Sequence, residues 1–539
     1  MLTWPEETIY EGIAAVAADE PERTAVVFEG EEWCYGDLLA DSRSLAHGLA
    51  DLGVGSGDIV AVWLGNRPEW IVCQLAASYL GAAMVAVNTR YRTHELEYIL
   101  ADSSASVLVT ERSLLGRQYH EMLADAVPAT AESTPETFES ATYPDLEAVV
   151  SLEPDETVPA TRDYEAVLAV GRDRREIEPA SDPRTPAAIF YTSGTTSDPK
   201  GCLQSSRSLL NHAANVADHL EMTASDIGVA TLPFCGIWGY NTLFSHLATG
   251  ATLVTQTHFD PGETIRLLDE HDGTVLTGLG VMFERMLEHE SFSRPRVETV
   301  ESGVVGFVSK GFDDALFDRI EETFGFPVVQ PYGLSEANSQ IFVGDPDDPL
   351  ERRKRVGGPP IHPAIDSKIV DPESHEQRPP GEEGELALRG YLVAESYLDK
   401  PEATAEAFDD AGWFYTGDLC RKDADGYVYY RSRLDDALRT RGFLVAPPEI
   451  QAAVEDHPAV DACEVVGASH PRHGEVPVAF VVADGDISEA DLESFLDDRV
   501  ADYKVPAAFE FVDAFPTTAG PNGEKVQKTA LRDRVANRF

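Results

Sequence analysis

The stretch Tyr191–Gly201, YTSGTTSDPKG, narrows what this chain can fold into more than any other. It follows a short apolar run, Ala187 to Phe190, that reads as a strand, and it precedes a polar, helix-like segment from Ser205 to Asn215. Four hydroxyls, on Thr192, Ser193, Thr195 and Thr196, surround Gly194, and Lys200 comes six residues after that glycine. Small residues let backbone N–H groups turn towards an anion, hydroxyls add donors and the lysine adds charge, so the stretch reads as a phosphate cradle. The plain alternative is a Ser/Thr/Gly surface loop. It is not a Walker loop: the second Walker glycine would fall on Pro199, which has no N–H, and the magnesium-binding hydroxyl on Gly201.

The chain around it alternates helix and strand patterns. Helical periodicity after Tyr35 places Leu38, Leu39, Leu45 and Leu49 on one side, and Ile59–Leu64 and Ala83–Val87 read as short buried strands. Trp70 to Val87 is the longest apolar stretch, but Gln74, Ser78 and Gly81 interrupt it, which predicts a buried helix turning at Gly81 into a strand and not a membrane span. This alternation predicts an α/β fold with a mostly parallel sheet. Ala129 to Pro183 is rich in Pro, Ser, Thr and acid, with little periodicity, and predicts a solvated excursion before the phosphate loop. Further on, the patterns predict a helix over Pro447–Val454, strands over Cys463–Gly467 and Val478–Val482, and a helix over Asp491–Val500.

Net charge excludes whole classes of function. At -52 over 539 residues, the chain argues against nucleic-acid binding and against an anionic membrane surface. Only nine of its 42 basic residues are lysine, and such a surface resembles that of an extreme halophile, where concentrated salt screens self-repulsion. A hydrophobic content of 43% rules out a disordered acidic protein. Six scattered cysteines without metal-ligand spacing, and an acidic N-terminus without a signal-peptide core, predict free thiols and a cytoplasmic protein.

Two later motifs carry chemistry of their own. In Gln330–Glu336, QPYGLSE, Tyr332 can stack on a purine, Ser335 can reach a phosphate oxygen and Glu336 can hold magnesium, with Gly333 between them. In Gly412–Leu419, GWFYTGDL, a carboxylate at the end of a strand, Asp418, can accept ribose hydroxyls. Taken singly, the first would be a loop and the second a surface ion-pair member.

The ordered set resembles the adenylate-forming (AMP-binding) superfamily, in particular its acyl-CoA synthetases, over Trp33 to Lys528. The YTSGTTSDPKG loop has Ser197 where the family usually has Gly, QPYGLSE matches Tyr-Gly-x-Thr/Ser-Glu, and RSRLDDALRTRG (Arg431–Gly442) corresponds to the Gly-Arg-x-Lys-Asp hinge and the loop after it. There Ser432 replaces Gly, Asp435 replaces Lys, and Arg439 and Arg441 replace lysines, while Asp436 and Gly442 keep the hinge acid and the loop glycine. In LPFCGIWG (Leu232–Gly239), Cys235 and Gly236 stand where the family has an aromatic and His at the acyl pocket. SGVVGFV (Ser302–Val308) stands at the adenine-binding turn and offers Gly303 and Gly306. PTTAGPNGEKVQK (Pro516–Lys528) resembles the catalytic turn, with a longer loop and Glu524 between Gly523 and Lys525.

The resemblance implies an α/β fold with a large multi-subdomain N-terminal region, made of parallel-sheet layers and a small β-barrel-like part, over 1–434. A small, mobile α+β C-terminal lid over 437–539 would be hinged at about 435–436. It implies ATP and CoA as co-substrates with Mg²⁺, and a carboxylic acid, fatty acids being favoured, converted through an acyl-adenylate to a thioester with release of AMP and pyrophosphate. Lys525, Glu336 and Lys200 would be catalytic, with Glu336 on the metal. Thr192, Ser193, Gly194, Thr195, Thr196, Gly303, Tyr332, Gly333, Ser335, Asp418, Arg433 and Gly442 would bind the nucleotide and CoA, Arg433 touching the ribose. Two alternatives remain open: an adenylation enzyme loading a carrier protein or an aryl or other acid, and a non-catalytic nucleotide-binding regulator.

Overall fold

A computed structural model describes residues 6–172, 177–192, 199–307, 314–434, 436–440, 443–470, 474–483, 485, 487–496, 500, 504–520, 523–536 and 538–539. They fall into two compact units: one within Met1–Phe307, Asp313–Ile365 and Arg389–Gly412, the other within Val308–Phe312, Asp366–Leu388 and Trp413–Phe539. The hinge expected at Asp436 falls inside the second of these.

The first unit is built on a seven-stranded sheet of β1 (Ile59–Trp63), β2 (Ala83–Ala86), β3 (Val107–Thr110), β4 (Ala148–Ser151), β5 (Arg162–Asp163), β6 (Pro186–Tyr191) and β7 (Gly201–Ser205), in the order β7-β6-β2-β1-β3-β4-β5. All neighbours are parallel except β6 and β7, which pair antiparallel at the edge. Every residue of β2, β3 and β4 is buried, so these strands read as continuous apolar runs without alternation. Each fully buried Val or Leu contributes about 1.5–3 kcal/mol. The expected helix, turn and strand around Gly81 are Pro68–Leu80, a left-handed cap at Gly81 and β2.

One expectation fails here. Residues 129–183 are no solvated excursion: they supply β4 to the interior of the sheet and a helix, Tyr164–Arg172, that packs on Tyr35–Asp51. The two helix backbones touch where a Cβ on Gly171 would lie 1.7 Å from Ser44 O. A four-residue strand carries too little periodicity to stand out among the prolines around it. The loop after β6 is followed, as expected, by a helix that starts at Ser206 with Ser205 as its cap. Between the two comes β7, paired antiparallel with β6.

The second unit has the strands Asp366–Val370, Glu383–Arg389, Phe414–Lys422 and Val428–Arg433 side by side, the last three paired antiparallel. A further sheet, with Val460–His470 at its edge paired antiparallel along the length of Gly474–Ala483, is covered by the helices Pro447–Glu455, Glu489–Leu496 and Lys528–Val535. Among the described residues no helix is long and apolar enough to cross a membrane, and the six cysteines are free thiols.

Candidate active site

Ser193, Gly194, Thr195 and Thr196 lie outside the described residues; the base of their loop does not. Thr192 N–H donates to Lys200 O at 2.9 Å and Lys200 N–H to Thr192 Oγ1 at 3.3 Å, so the hairpin is closed by its own backbone. Tyr191 OH donates to Asp102 Oδ2 at 2.9 Å, Lys400 pairs with Oδ1 of the same carboxylate, and Tyr98 OH donates to Pro199 O at 2.7 Å. Both ends of the loop are thus tied to the Thr93–Ser103 helix. Burial, with the Asp102 carboxylate beside it, pushes the Tyr191 phenol upward and keeps it a donor.

Glu336 sits on a single 3₁₀ turn, Ser335–Ala337, held from three sides. Ala394 N–H donates to Glu336 O at 2.7 Å, Gln204 Nε2 donates to Ser335 O at 2.8 Å, and Tyr397 OH donates to Glu336 Oε1 at 2.9 Å. Lys200 Nζ stands 5.1 Å from the centroid of the same Tyr397 ring. The structure therefore brings Lys200 and Glu336 onto one tyrosine that the sequence motifs did not single out. A lone tyrosine in ESYLDKPE has no spacing signal.

Tyr332 is buried against Phe342, ring centroids 6.0 Å apart. Gly333 is required by close approach, since a Cβ there would lie 2.4 Å from Gln340 N. Gly303 has a packing duty: its Cβ would lie 1.9 Å from Leu276 O. At Gly306 a Cβ would lie 2.7 Å from the Trp238 ring. Cys235 is buried, and Gly236 caps the Ile237–Thr249 helix.

The turn after Glu336 holds three consecutive left-handed residues, Asn338, Ser339 and Gln340, with φ of 56°, 57° and 36°. Each such residue costs on the order of 1–3 kcal/mol and persists only where its surroundings over-determine it. Here Asn241 Nδ2 donates to Asn338 O at 3.1 Å, Asn338 Nδ2 to Ser208 Oγ at 2.6 Å, and His212 Nε2 bonds Ser339 O at 2.8 Å. Burial pushes the His212 imidazole down to about 4, so the ring is neutral; Nε2 carries the proton and Nδ1 accepts from Tyr391 OH at 3.1 Å. Nothing in the sequence motifs pointed to this clamp.

In the second unit Asp418 lies within the Phe414–Lys422 strand and not at its end as expected, because the strand continues past it to Lys422. Asp418 faces Arg433 across the antiparallel register, with Arg433 Nη1 2.9 Å from Asp418 Oδ1. Beside them Gly417 N–H donates to Glu385 Oε1 at 2.9 Å, and burial pushes the Glu385 carboxyl up. Asp436, where the hinge is expected, accepts from Arg532 at 2.6 Å and Lys528 at 3.5 Å. Asp435, Arg441 and Gly442 lie outside the described residues. Lys525 stands in the Gly523–Val526 strand with its backbone opposite Thr518, and its side chain also lies outside them.

Among the described residues no cluster of three His, Cys, Asp or Glu side chains could hold an ion. Magnesium needs no such cage, since it is commonly held by one or two carboxylates together with substrate phosphates, and the hard oxygen of Glu336 suits that role.

Residues 13–398 match the family model of the AMP-binding enzymes, and residues 449–520 that of the AMP-binding enzyme C-terminal domain. The chain is 29% identical to a long-chain-fatty-acid–CoA ligase of Bacillus subtilis, covering 99% of this chain and 96% of the relative. It is 28% identical to the 2-succinylbenzoate–CoA ligase of the same organism, covering 95% of each. Its fold is similar to that of ATP-bound MatB from Rhodopseudomonas palustris, with a TM-score of 0.82 at 26% identity over 98% of this chain and 99% of that one. With a loop-and-glutamate constellation in family order and both family models matched, the chain belongs to the AMP-binding enzymes, as an AMP-forming acyl-CoA synthetase of the CoA ligase type.

Proposed function

We propose that the protein activates a fatty acid, forming an acyl-adenylate from the carboxylate and ATP and then transferring the acyl group to the CoA thiol. In the first step a carboxylate oxygen bonds to the α-phosphorus, and the bond to the pyrophosphate oxygen breaks. In the second the thiolate attacks the acyl carbon and AMP leaves, the thiol proton passing to solvent. The observation that supports this reading best is the convergence of Lys200 and Glu336 on Tyr397, which sets a cation and an anion side by side at the base of the candidate phosphate loop.

Two anions must meet in the first step, so catalysis there is alignment and charge neutralisation. In this reading residues 192–196 and Lys200 hold the departing phosphates, and Lys525 lies between carboxylate and α-phosphate. Tyr332, Gly303, Gly333 and Ser335 serve the adenine and phosphate, and Asp418 with Arg433 the ribose. Glu336 would hold Mg²⁺, which supplies charge neutralisation at the phosphates when bound. The proposed lid, 437–539, turns at 435–436 to exchange Lys525 for the Gly442 loop on the CoA path.

The net charge of -52 adds a condition: dense counterions are needed to screen the approach of anionic substrates. Pyrophosphate release across a panel of carboxylic acids, with and without CoA, in molar KCl and in dilute buffer, tests the whole. Fatty acids should give the highest kcat/KM, CoA should be required for turnover, and dilute buffer should abolish activity. Preference for an aryl acid would overturn the substrate, and full activity in dilute buffer the salt requirement.

A further inference from the structure

We propose that Tyr397 is a positioning residue that couples the phosphate loop to the metal-binding glutamate, orienting Lys200 with its ring and the Glu336 carboxylate with its hydroxyl. The inference rests on the roles proposed above for Lys200 and Glu336, and it concerns a residue outside every motif that suggested them. The two contacts use opposite parts of one side chain. The π face of Tyr397 carries negative charge and stands 5.1 Å from Lys200 Nζ; its hydroxyl donates to Glu336 Oε1 at 2.9 Å.

The side chain can act as a spacer only if its own backbone is immobile, and the segment around it meets that condition. Leu398 N–H donates to Gly201 O at 2.8 Å, Leu203 N–H to Ser396 O at 3.0 Å and Glu395 N–H to Leu203 O at 3.1 Å, so residues 395–398 run as an added strand along β7, directly after Lys200. Tyr397 bridges antiparallel to Cys202 in that pairing and is 7% exposed. At one end of the segment Ala394 N–H holds the Glu336 carbonyl, and at the other Lys400 pairs with Asp102, which also accepts from Tyr191. Any shift of the loop base is therefore carried to Glu336 through a rigid ring. A hydroxyl fixed on Oε1 restrains the carboxylate's rotation, and with it the direction from which the group can meet a cation.

Two substitutions separate the contacts. Tyr397→Phe keeps the ring beneath Lys200 and removes the hydroxyl; Tyr397→Leu removes both. Equilibrium ATP binding is measured calorimetrically in molar KCl, with Mg²⁺ and with EDTA, beside the melting temperature. Tyr397→Phe should weaken binding about tenfold in Mg²⁺ and leave it within about twofold in EDTA, as expected for loss of one hydrogen bond to a charged group. Tyr397→Leu should weaken binding in both. Wild-type affinity of Tyr397→Phe in Mg²⁺, or variants that melt lower while both affinities stay unchanged, would overturn the proposal. Glu336→Gln and Lys200→Ala run in parallel. If neither alters ATP binding, the roles proposed for them fall, and this inference with them. If they do and Tyr397→Phe does not, only this inference falls.

Discussion

The two candidate site carboxylates, Glu336 and Asp418, are held in opposite ways. Asp418 meets Arg433 only 15 residues along the chain, and the register of two adjacent antiparallel strands is enough to align them. Glu336 takes its bond from Tyr397, 61 residues on, and that segment is anchored in turn by Asp102, 298 residues before Lys400. The strand pair is a local device that survives wherever its hairpin forms. The strap is a tertiary device that exists only when β7, the Thr93–Ser103 helix and residues 394–400 are all in place. Disturbance should therefore travel far on the Glu336 side and stay local on the Asp418 side.

The largest effect expected calibrates that contrast, because both carboxylates are proposed to serve the step that Lys525 drives. Lys525→Ala should lose adenylation by about 10²–10³, the usual cost of one preorganised charge contact. Conversion of a supplied acyl-adenylate and CoA to thioester should survive. Lys528→Ala, whose contact with Asp436 is a long 3.5 Å beside the shorter Arg532 bond, should be mild in both half-reactions. The assignment of Lys525 is wrong if the two phenotypes are exchanged.

A pH effect should follow from the clamp behind Glu336. His212 has its folded pKa lowered to about 4 from 6.5, so the folded state favours the neutral ring. That contribution is fully present above pH 6.5 and is lost as pH falls towards 4, because the unfolded chain takes up the proton first. Integrated over the shift it amounts to about 3 kcal/mol. His212→Gln should be less stable than the wild type at pH 7, with a smaller loss of stability between pH 7 and pH 4.5. Parallel stability curves for the two proteins in chemical denaturation would show that His212 does not titrate on unfolding.

A smaller change should break the strap at its far end. Asp102→Ala removes the acceptor shared by Lys400 and Tyr191 and should cost about 2 kcal/mol of stability, discounted for the partly exposed lysine. It should also raise the KM for ATP more than it lowers kcat, since the loop base loosens while the reacting groups remain. An unchanged KM with a lowered melting temperature would confine Asp102 to a structural role and erase the contrast with Asp418.

Much of the candidate site was legible from local pattern. YTSGTTSDPKG, QPYGLSE and GWFYTGDL combine residue types and spacing that a phosphate, a cation and a ribose require, and Asp418 and Arg433 proved to be register partners. The helix and strand around Gly81 were equally plain, because a thirteen-residue helix ending in a left-handed glycine writes its boundary into the chain. The four-residue strand Ala148–Ser151 has no such helix and glycine before it, and amid prolines and acids its short apolar run does not stand out.

By itself the sequence determined the fold class and the side chains available for the chemistry, because these depend on composition and spacing over short windows, and its ordered motifs carried the resemblance to the family. Only the tertiary structure decided that the strands on either side of the candidate phosphate loop, β6 and β7, pair antiparallel, that Asn338–Gln340 are held left-handed by His212, Asn241 and Ser208, and that Tyr397 joins Lys200 to Glu336. The physical reason is common to all three. A hydrogen bond between distant residues leaves no periodicity in either segment, and it comes into being only when packing has brought the two together.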